Sequence, residues 1–318
     1  MAAAILSLLV FLSPDLTLAP TVASEPLAAP RPIDRVADDL VIPRRPAPAA
    51  ADRRTAGGAL LPLLPAPDPS AEYQAALEAA RFAGGARGVA FAAVRDGELL
   101  WAGSSGMVRD GTDPITPDTP LVIGSVTKTF VSATVLQLVE EGALSLDDAV
   151  RNHLPELAWL SPEITIRQLL DHTSGLADVF NDTTRRGIEE EPSRPWSATE
   201  IFASLHEPWY APGEGWAYAN TNYFLLGLVV ERLTGQALAS ELERRFIGPL
   251  GLGTTRMLGT GSDEVLEPAW TTIFWASGAM VSSAADLARW GDALYTDDVL
   301  SATTRAEMLA VNHEDYGL

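Results

Sequence analysis

The sequence contains no cysteine and only one lysine, Lys128. Without cysteine, the chain can form neither disulfide bonds nor thiolate metal sites. Arginine makes up 21 of the 22 basic residues, and the 42 acidic residues bring the formal net charge to -20. Nucleic acid binding depends on clustered basic residues, so this charge balance argues against nucleic acid as a partner.

Long hydrophobic runs are also lacking. The apolar run at residues 2–12 has the length found in export signals, whereas a membrane-spanning helix needs ~20 residues. Val22-Ala23-Ser24 is an acceptable cleavage site, although no Lys or Arg precedes the apolar run. We expect residues 1–24 to be a signal peptide, the protein to be exported to the periplasm or beyond, and no integral membrane span. The alternative is an apolar tail on a cytoplasmic protein.

The next segment, residues 25–68, is rich in proline and alanine and has neither helical nor strand periodicity. Frequent prolines block both helices and sheet pairing, so this composition predicts a flexible linker. Order is expected to resume where Asp68 can cap a helix that has Pro69 in its first turn. The sequence therefore predicts one large domain over residues 69–318.

A β-hairpin is predicted close to the start of this domain. Residues 89–94 form a short apolar run, and residues 99–101 form a second one after Asp96-Gly97. An Asp-Gly pair between two such runs is typical of a tight hairpin turn. We therefore expect an antiparallel sheet to begin here.

Helical patterns dominate the stretch that follows. Residues 125–141 carry Val131, Val135 and Leu138 at the spacing of one helix face. Further helices are predicted at 166–170, 199–205, 223–233 and 237–246. The interpretation is an α+β fold, in which an antiparallel sheet is flanked by helices and interrupted by a helical lobe over about residues 142–270.

The first chemical motif opens the helix predicted at 125–141. Ser125 and Lys128 are three residues apart, a spacing that places a hydroxyl and an amine one helical turn apart on the same face. A buried amine can lose its proton and act as a base, whereas the guanidinium of arginine stays protonated. The single lysine of an arginine-rich chain thus stands where a base would be needed. The plain alternative is an exposed lysine that happens to follow a serine.

The second motif is Tyr218-Ala219-Asn220, just before the helix predicted to start near Tyr223. A phenol and an amide two residues apart face the same way on an extended segment. Beside a Ser-Lys pair, the phenol can transfer a proton and the amide can orient a substrate. Without such a pair, Tyr218 would be a ring at the rim of the core and Asn220 a helix N-cap.

Together the two motifs resemble the signature of the penicillin-recognising serine hydrolases, with S-x-x-K at Ser125–Lys128 and Y-x-N at Tyr218–Asn220. Class A β-lactamases carry S-D-N at the second motif, and that triplet is absent. The closer resemblance is to class C β-lactamases, D-Ala-D-Ala carboxypeptidases and related esterases, from about residue 70 to the end. Segments similar to the family, in family order, are GSVTKTF (124–130), LVEEGALSLDDAV (138–150), ITIRQLLDHTSGL (164–176), APGEGWAYANTNY (211–223) and ASGAMVSSAADLARW (276–290).

The resemblance implies a β-lactamase/transpeptidase-like α+β fold. It also implies a third motif, Lys-Thr-Gly or His-x-Gly, on a strand that supplies one of two oxyanion donors. Neither form occurs in the sequence, and His172, by its place in the order, belongs to another segment. We expect His172 to close a helix end. The last sheet strands and the closing helix of the family would lie beyond Leu318, so we expect the chain to be incomplete at its C-terminus.

The function implied by the resemblance is hydrolysis by acyl transfer on an amide, lactam or ester carbonyl. Ser125 would be the nucleophile, Lys128 its proton acceptor, Tyr218 the proton donor to the leaving group and Asn220 a substrate-binding amide. The substrate would be a small molecule or a peptide, and the reaction needs no cofactor and no metal. The alternative is a non-catalytic relative that binds β-lactams or peptides, or an inactive fragment that lacks the third motif.

Overall fold

The structure is a computed structural model and describes residues 6–11, 70–108, 111, 113–259, 265–296, 299–311 and 316–318. The chain divides into two units, one formed by Met1–Pro14 with Ser70–Leu318 and the other by Asp15–Pro69. The second unit, and with it the linker predicted for residues 25–68, lies outside the described residues. So does most of the predicted signal peptide.

One antiparallel sheet has the strand order β1-β2-β3, with β1 at Leu6–Phe11, β2 at Gly88–Arg95 and β3 at Glu98–Gly106. The predicted hairpin is confirmed, because β2 and β3 pair across Asp96-Gly97, which both have positive φ angles. Strand β1 lies within the segment predicted as an export signal and pairs with the other edge of β2. Export itself stays a prediction.

A second small antiparallel sheet has the order β4-β6-β5. Its strands are β4 at Leu121–Val122, β5 at Arg256–Met257 and β6 at Met280–Ser282. The helices are α1 at Ser70–Ala83, α2 at Thr127–Glu140, α3 at Val150–His153, α4 at Ile166–Leu170, α5 at Asp182–Glu190, α6 at Ala198–Ala203, α7 at Asn220–Thr234, α8 at Leu238–Leu242, α9 at Pro268–Gly278, α10 at Ala284–Tyr295 and α11 at Ala302–Met308. None of the helices in this described part of the chain combines the length and apolar character that crossing a bilayer requires.

Helix α2 is the centre of the core. The predicted stripe of Val131, Val135 and Leu138 is buried, but so is Leu136 on another side of the helix. The reason is that α2 is enclosed, since it packs against α7, α8 and α9, and Phe130 stacks on Trp290 of α10 at 3.9 Å between ring centroids. A helix buried on all sides gives a rigid platform for the residues at its N-terminus.

Three predicted helices differ at their ends. The helix predicted from Ser125 begins at Thr127, because Gly124–Val126 forms a single 3₁₀ turn ahead of it. Helix α7 starts at Asn220 rather than near Tyr223, because the extended Ala219 is its N-cap. The helix predicted at 237–246 changes to π-helical geometry over Glu243–Ile247.

Two glycines with positive φ angles allow a test of the packing. An added Cβ at Gly175 would lie 2.1 Å from the Tyr210 carbonyl oxygen, whereas at Gly235 it would meet nothing within 4 Å. We expect Gly235→Ala to lower the free energy of unfolding by about 1 kcal/mol through backbone strain alone. Gly175→Ala should lower it by roughly 3 kcal/mol or more, because a backbone clash adds to that strain. Urea unfolding measures both values, and equal losses would contradict the packing described.

Candidate active site

Ser125 and Lys128 meet at the N-terminal end of α2. Ser125 lies in the 3₁₀ turn and is exposed, while Lys128 lies in the first turn of α2 and is only 3% exposed. The distance from Lys128 Nζ to Ser125 Oγ is 3.4 Å, at the long end of hydrogen bonding. Contacts of this kind are often long before substrate binds and tighten afterwards. An accessible alcohol thus lies beside a buried amine.

The amine of Lys128 has two further partners, and both are acceptors. It donates to Asn220 Oδ1 at 2.9 Å and to the backbone carbonyl of Ser277 at 2.7 Å. Burial lowers the pKa of Lys128 from 10.5 to about 7, although the negative charge of Asp178 acts in the opposite direction. Near neutral pH a large fraction of the lysine is therefore uncharged. A neutral amine has two N–H bonds for the two acceptors and one lone pair, which is left for Ser125.

Tyr218 lies on the other side of the nucleophile. Its hydroxyl donates to Ser125 Oγ at 2.7 Å, and the Lys128 Nζ is 4.7 Å from the centre of its ring. Burial raises the pKa of Tyr218 to about 12, so the phenol keeps its proton at neutral pH. Of the two groups beside Ser125, the lysine is therefore the one able to accept a proton and the tyrosine the one able to donate.

The four residues that the sequence singled out thus converge. Tyr218 contacts Ser125, and Asn220 contacts Lys128, from the two sides of the extended residue Ala219. The spacing of two residues achieves this because Ala219 has extended backbone angles, although Asn220 already belongs to α7.

His172 closes the end of α4, as the sequence predicts. It has a left-handed φ of 62° directly after the helix, and the N–H of Thr173 donates across it to Gln168 O at 3.0 Å. The imidazole is fully buried, and its Nδ1 accepts from the backbone N–H of Ala219 at 3.2 Å. Its ring stacks on Tyr218 with centroids 4.4 Å apart. The residue thus supports the start of α7, a contact between segments distant in the sequence that local pattern did not reveal.

His172 is also held neutral. Burial, together with the nearby Lys128, lowers its pKa from 6.5 to about 3. The amide nitrogen of Asn222 lies 2.9 Å from the same Nδ1, and Nε2 lies 3.3 Å from the Tyr316 hydroxyl. Two donors facing Nδ1 require that nitrogen to be unprotonated, so the proton sits on Nε2. The ring therefore packs against Tyr218 without adding a charge.

Two further participants were missed by sequence reasoning. Asp178 accepts from the backbone N–H and the side-chain amide of Asn220, both at 3.1 Å. Burial raises the pKa of Asp178 above its usual value, and hydrogen bonds from Phe180 and Asn220 oppose the rise. The other participant is the carbonyl of Ser277, near the end of α9. A backbone carbonyl has no side-chain signature, and Asp178 is far from the motifs in sequence.

A cavity of about 350 Å³ opens beside the nucleophile. The residues that line it include Ser125, Lys128, Thr129, Tyr223, Leu294 and Tyr316. Its size is within the range of small-molecule sites. In the described part of the chain, no three carboxylate or histidine side chains are grouped so as to hold a metal ion.

Comparison with known proteins places this geometry in a family. The family model described as Beta-lactamase matches residues 73–316. The chain belongs to the Beta-lactamase family. This membership confirms the resemblance predicted from the two motifs, and the structure of this family member has the predicted α+β arrangement of helices with antiparallel sheets.

Three relatives show the range of the family. The chain is 30% identical over 258 residues to Penicillin-binding protein 4 of Amycolatopsis lactamdurans, covering 74% of this chain and 66% of the relative. It is 36% identical over 175 residues to Esterase EstB of Burkholderia gladioli, covering 50% of this chain and 44% of the relative. The structure of a D-stereospecific amidohydrolase from Streptomyces sp. aligns with a TM-score of 0.64 at 32% identity, covering 77% of this chain and 78% of the other. The chain thus spans less than two thirds of each of the two curated relatives.

Because the sequence has one lysine, the protonation state of Lys128 can be measured directly. Growth with ¹³C-labelled lysine should give one Cε resonance, which we expect to titrate with a midpoint of about 7 as burial disfavours the ammonium form. The same sample unfolded in urea should titrate near ~10.4 and serves as the control. A folded-state midpoint above ~9 would mean a charged amine at neutral pH and would contradict the assignment of Lys128 as a base.

Proposed function

We propose that this protein is a serine hydrolase that acts by acyl transfer through an ester formed on Ser125. The observation that carries the proposal is the environment of Lys128, a buried amine with two acceptor oxygens and the hydroxyl of Ser125 within reach. Such an environment is suited to a neutral general base. Membership of the Beta-lactamase family supports the same chemistry.

In the first step the lone pair of Lys128 takes the proton of Ser125, and Oγ forms a bond to the substrate carbonyl carbon. The carbonyl π bond opens and places the negative charge on the carbonyl oxygen. The ammonium formed on Lys128 stays close to the acceptor oxygens of Asn220 and Ser277, which stabilise its positive charge. The amine therefore does not have to leave its position to accept a proton.

In the second step the tetrahedral carbon expels its nitrogen or oxygen leaving group, and the acyl group remains on Ser125. Tyr218 is placed to give that group a proton, since its hydroxyl is 2.7 Å from Ser125 Oγ and carries its proton at neutral pH. The proton on Lys128 then restores the phenol, so over both steps the serine proton is transferred to the leaving group. Water or an acceptor amine releases the acyl group by the reverse sequence.

For the substrate we propose a small molecule or short peptide with an amide, lactam or ester carbonyl. The names of the relatives span these classes, with a penicillin-binding protein, an esterase and an amidohydrolase among them. The cavity beside Ser125, at about 350 Å³, is of a size for such a group.

A second candidate is a non-catalytic relative that binds the same compounds. The observation in its favour is that the sequence contains neither Lys-Thr-Gly nor His-x-Gly, the third motif that the family resemblance implies. Losing one oxyanion donor costs on the order of 10² to 10³ in rate, so a binding role without turnover is a distinct outcome.

We expect p-nitrophenyl acetate and fluorescent penicillin to acylate Ser125, detected as a covalent adduct by intact mass and peptide mapping. The acylation rate should rise with pH and level off above a midpoint of about 7, because Lys128 must lose its proton to act. Stopped-flow measurement between pH 5 and 9 gives the profile.

Two variants make this test specific. Ser125→Ala should form no adduct at the peptide that holds residue 125. Lys128→Arg keeps a positive charge but has no accessible neutral form, so we expect its rate to fall by roughly 10² or more at every pH. Reversible binding of penicillin without any adduct in the wild type would instead support the non-catalytic candidate. A Lys128→Arg variant as fast as wild type would contradict the assigned base.

A further inference from the structure

Asp178 reaches the active site through the side chain of Asn220. Its two carboxylate oxygens are used by different donors, because Oδ1 accepts from the backbone N–H groups of Phe180 and Asn220 and Oδ2 accepts from Asn220 Nδ2 at 3.1 Å. The residue lies in the loop between α4 and α5, on the far side of Asn220 from Lys128. It therefore touches neither the nucleophile nor the base through a hydrogen bond of its own.

This contact decides which way the Asn220 amide faces. An amide has a donor end and an acceptor end, and either could face Lys128 on shape alone. An ionised carboxylate only accepts, so the NH₂ end of Asn220 must face Asp178. The oxygen end is then the one that meets Lys128 Nζ, at 2.9 Å.

The orientation of the amide in turn decides where the lone pair of the neutral lysine lies. With oxygens at Asn220 and Ser277, both N–H bonds of the amine are used, and the lone pair faces Ser125. If the NH₂ end of Asn220 faced Lys128, the amine would have to accept from it, and the lone pair would be turned away from the nucleophile. We infer that Asp178 is a positioning residue that fixes the Asn220 amide and thereby aims the lone pair of Lys128 at Ser125. This inference rests on the proposed function.

Electrostatics gives Asp178 a second, separable effect. Its negative charge raises the pKa of Lys128, against the larger lowering caused by burial. The other titratable groups that face the amine are His172 from the loop after α4 and the rings of Tyr218 and Tyr223, all three neutral near pH 7. Removing the negative charge of Asp178 should therefore change the pKa of Lys128.

Asp178→Asn separates positioning from charge. The new side chain has the same shape, but when its oxygen accepts the two backbone N–H groups, its NH₂ faces the NH₂ of Asn220. Turning the Asn220 amide relieves that repulsion and presents its donor end to Lys128. Asp286→Asn, on α10, is the control for loss of a buried carboxylate elsewhere, because Asp286 also accepts from a backbone N–H, that of Thr254, and from threonine hydroxyls, and in addition pairs with Arg289.

The experiment measures the acylation rate constant with p-nitrophenyl acetate across pH 5 to 9 and the Lys128 ¹³Cε titration for wild type and both variants. For Asp178→Asn we expect the rate on the high-pH plateau to fall on the order of tenfold or more, because the base is neutral there but misdirected. The titration midpoint should move below that of wild type, because a negative charge has been removed. Asp286→Asn should leave the plateau and the midpoint unchanged.

A slower plateau together with a lower titration midpoint is diagnostic for Asp178→Asn. A variant whose lysine is neutral more often should otherwise react at least as fast as wild type at low pH. A plateau for Asp178→Asn within about twofold of wild type would overturn the inference, and so would an equal loss in Asp286→Asn. If wild type itself forms no adduct, the proposed function fails. If wild type reacts and Asp178→Asn reacts equally well, only the positioning role fails.

Discussion

The site depends on one interaction, the burial of Lys128 as an amine between two fixed oxygen atoms. Burial alone would make a lysine that is neutral but free to turn, and acceptors alone would favour the charged form. Here both act together, because Asn220 Oδ1 and the Ser277 carbonyl take the two N–H bonds while the surrounding core removes water. The nucleophile is then the remaining partner for the lone pair.

This requirement explains why three helices must meet at one point. Lys128 is on α2, Asn220 is the first residue of α7, and Ser277 lies near the end of α9. The apolar faces of these helices form a common core, with Phe130, Leu225 and Ala276 completely buried. A close-packed core resists small displacements. It therefore holds Asn220 Oδ1 and the Ser277 carbonyl within hydrogen-bonding distance of Lys128. The stability of the fold and the geometry of the site thus share the same contacts.

Unusual backbone geometry occurs next to this meeting point. His172 has a φ of 62° and Trp275 has a φ of 20°, both rare for residues with side chains. His172 places its ring under Tyr218 and its Nδ1 against the start of α7, and Trp275 lies two residues before the carbonyl that accepts from Lys128. Strained residues of this kind persist when the surrounding structure holds them, and they cluster at functional sites. In this protein each of them borders a group that orients the base.

The amino-acid sequence determined the local features of this protein. The Asp-Gly hairpin, the helix rich in apolar residues and the spacings of Ser125 with Lys128 and of Tyr218 with Asn220 follow from short-range geometry, which a few residues specify. Tertiary structure alone decided the rest. Lys128 is 92 residues from Asn220 and 149 from Ser277, and Asn220 is 42 residues from Asp178. Burial, the lowered pKa of the lysine and the direction of its lone pair arise from contacts between such distant segments, and no local pattern encodes them.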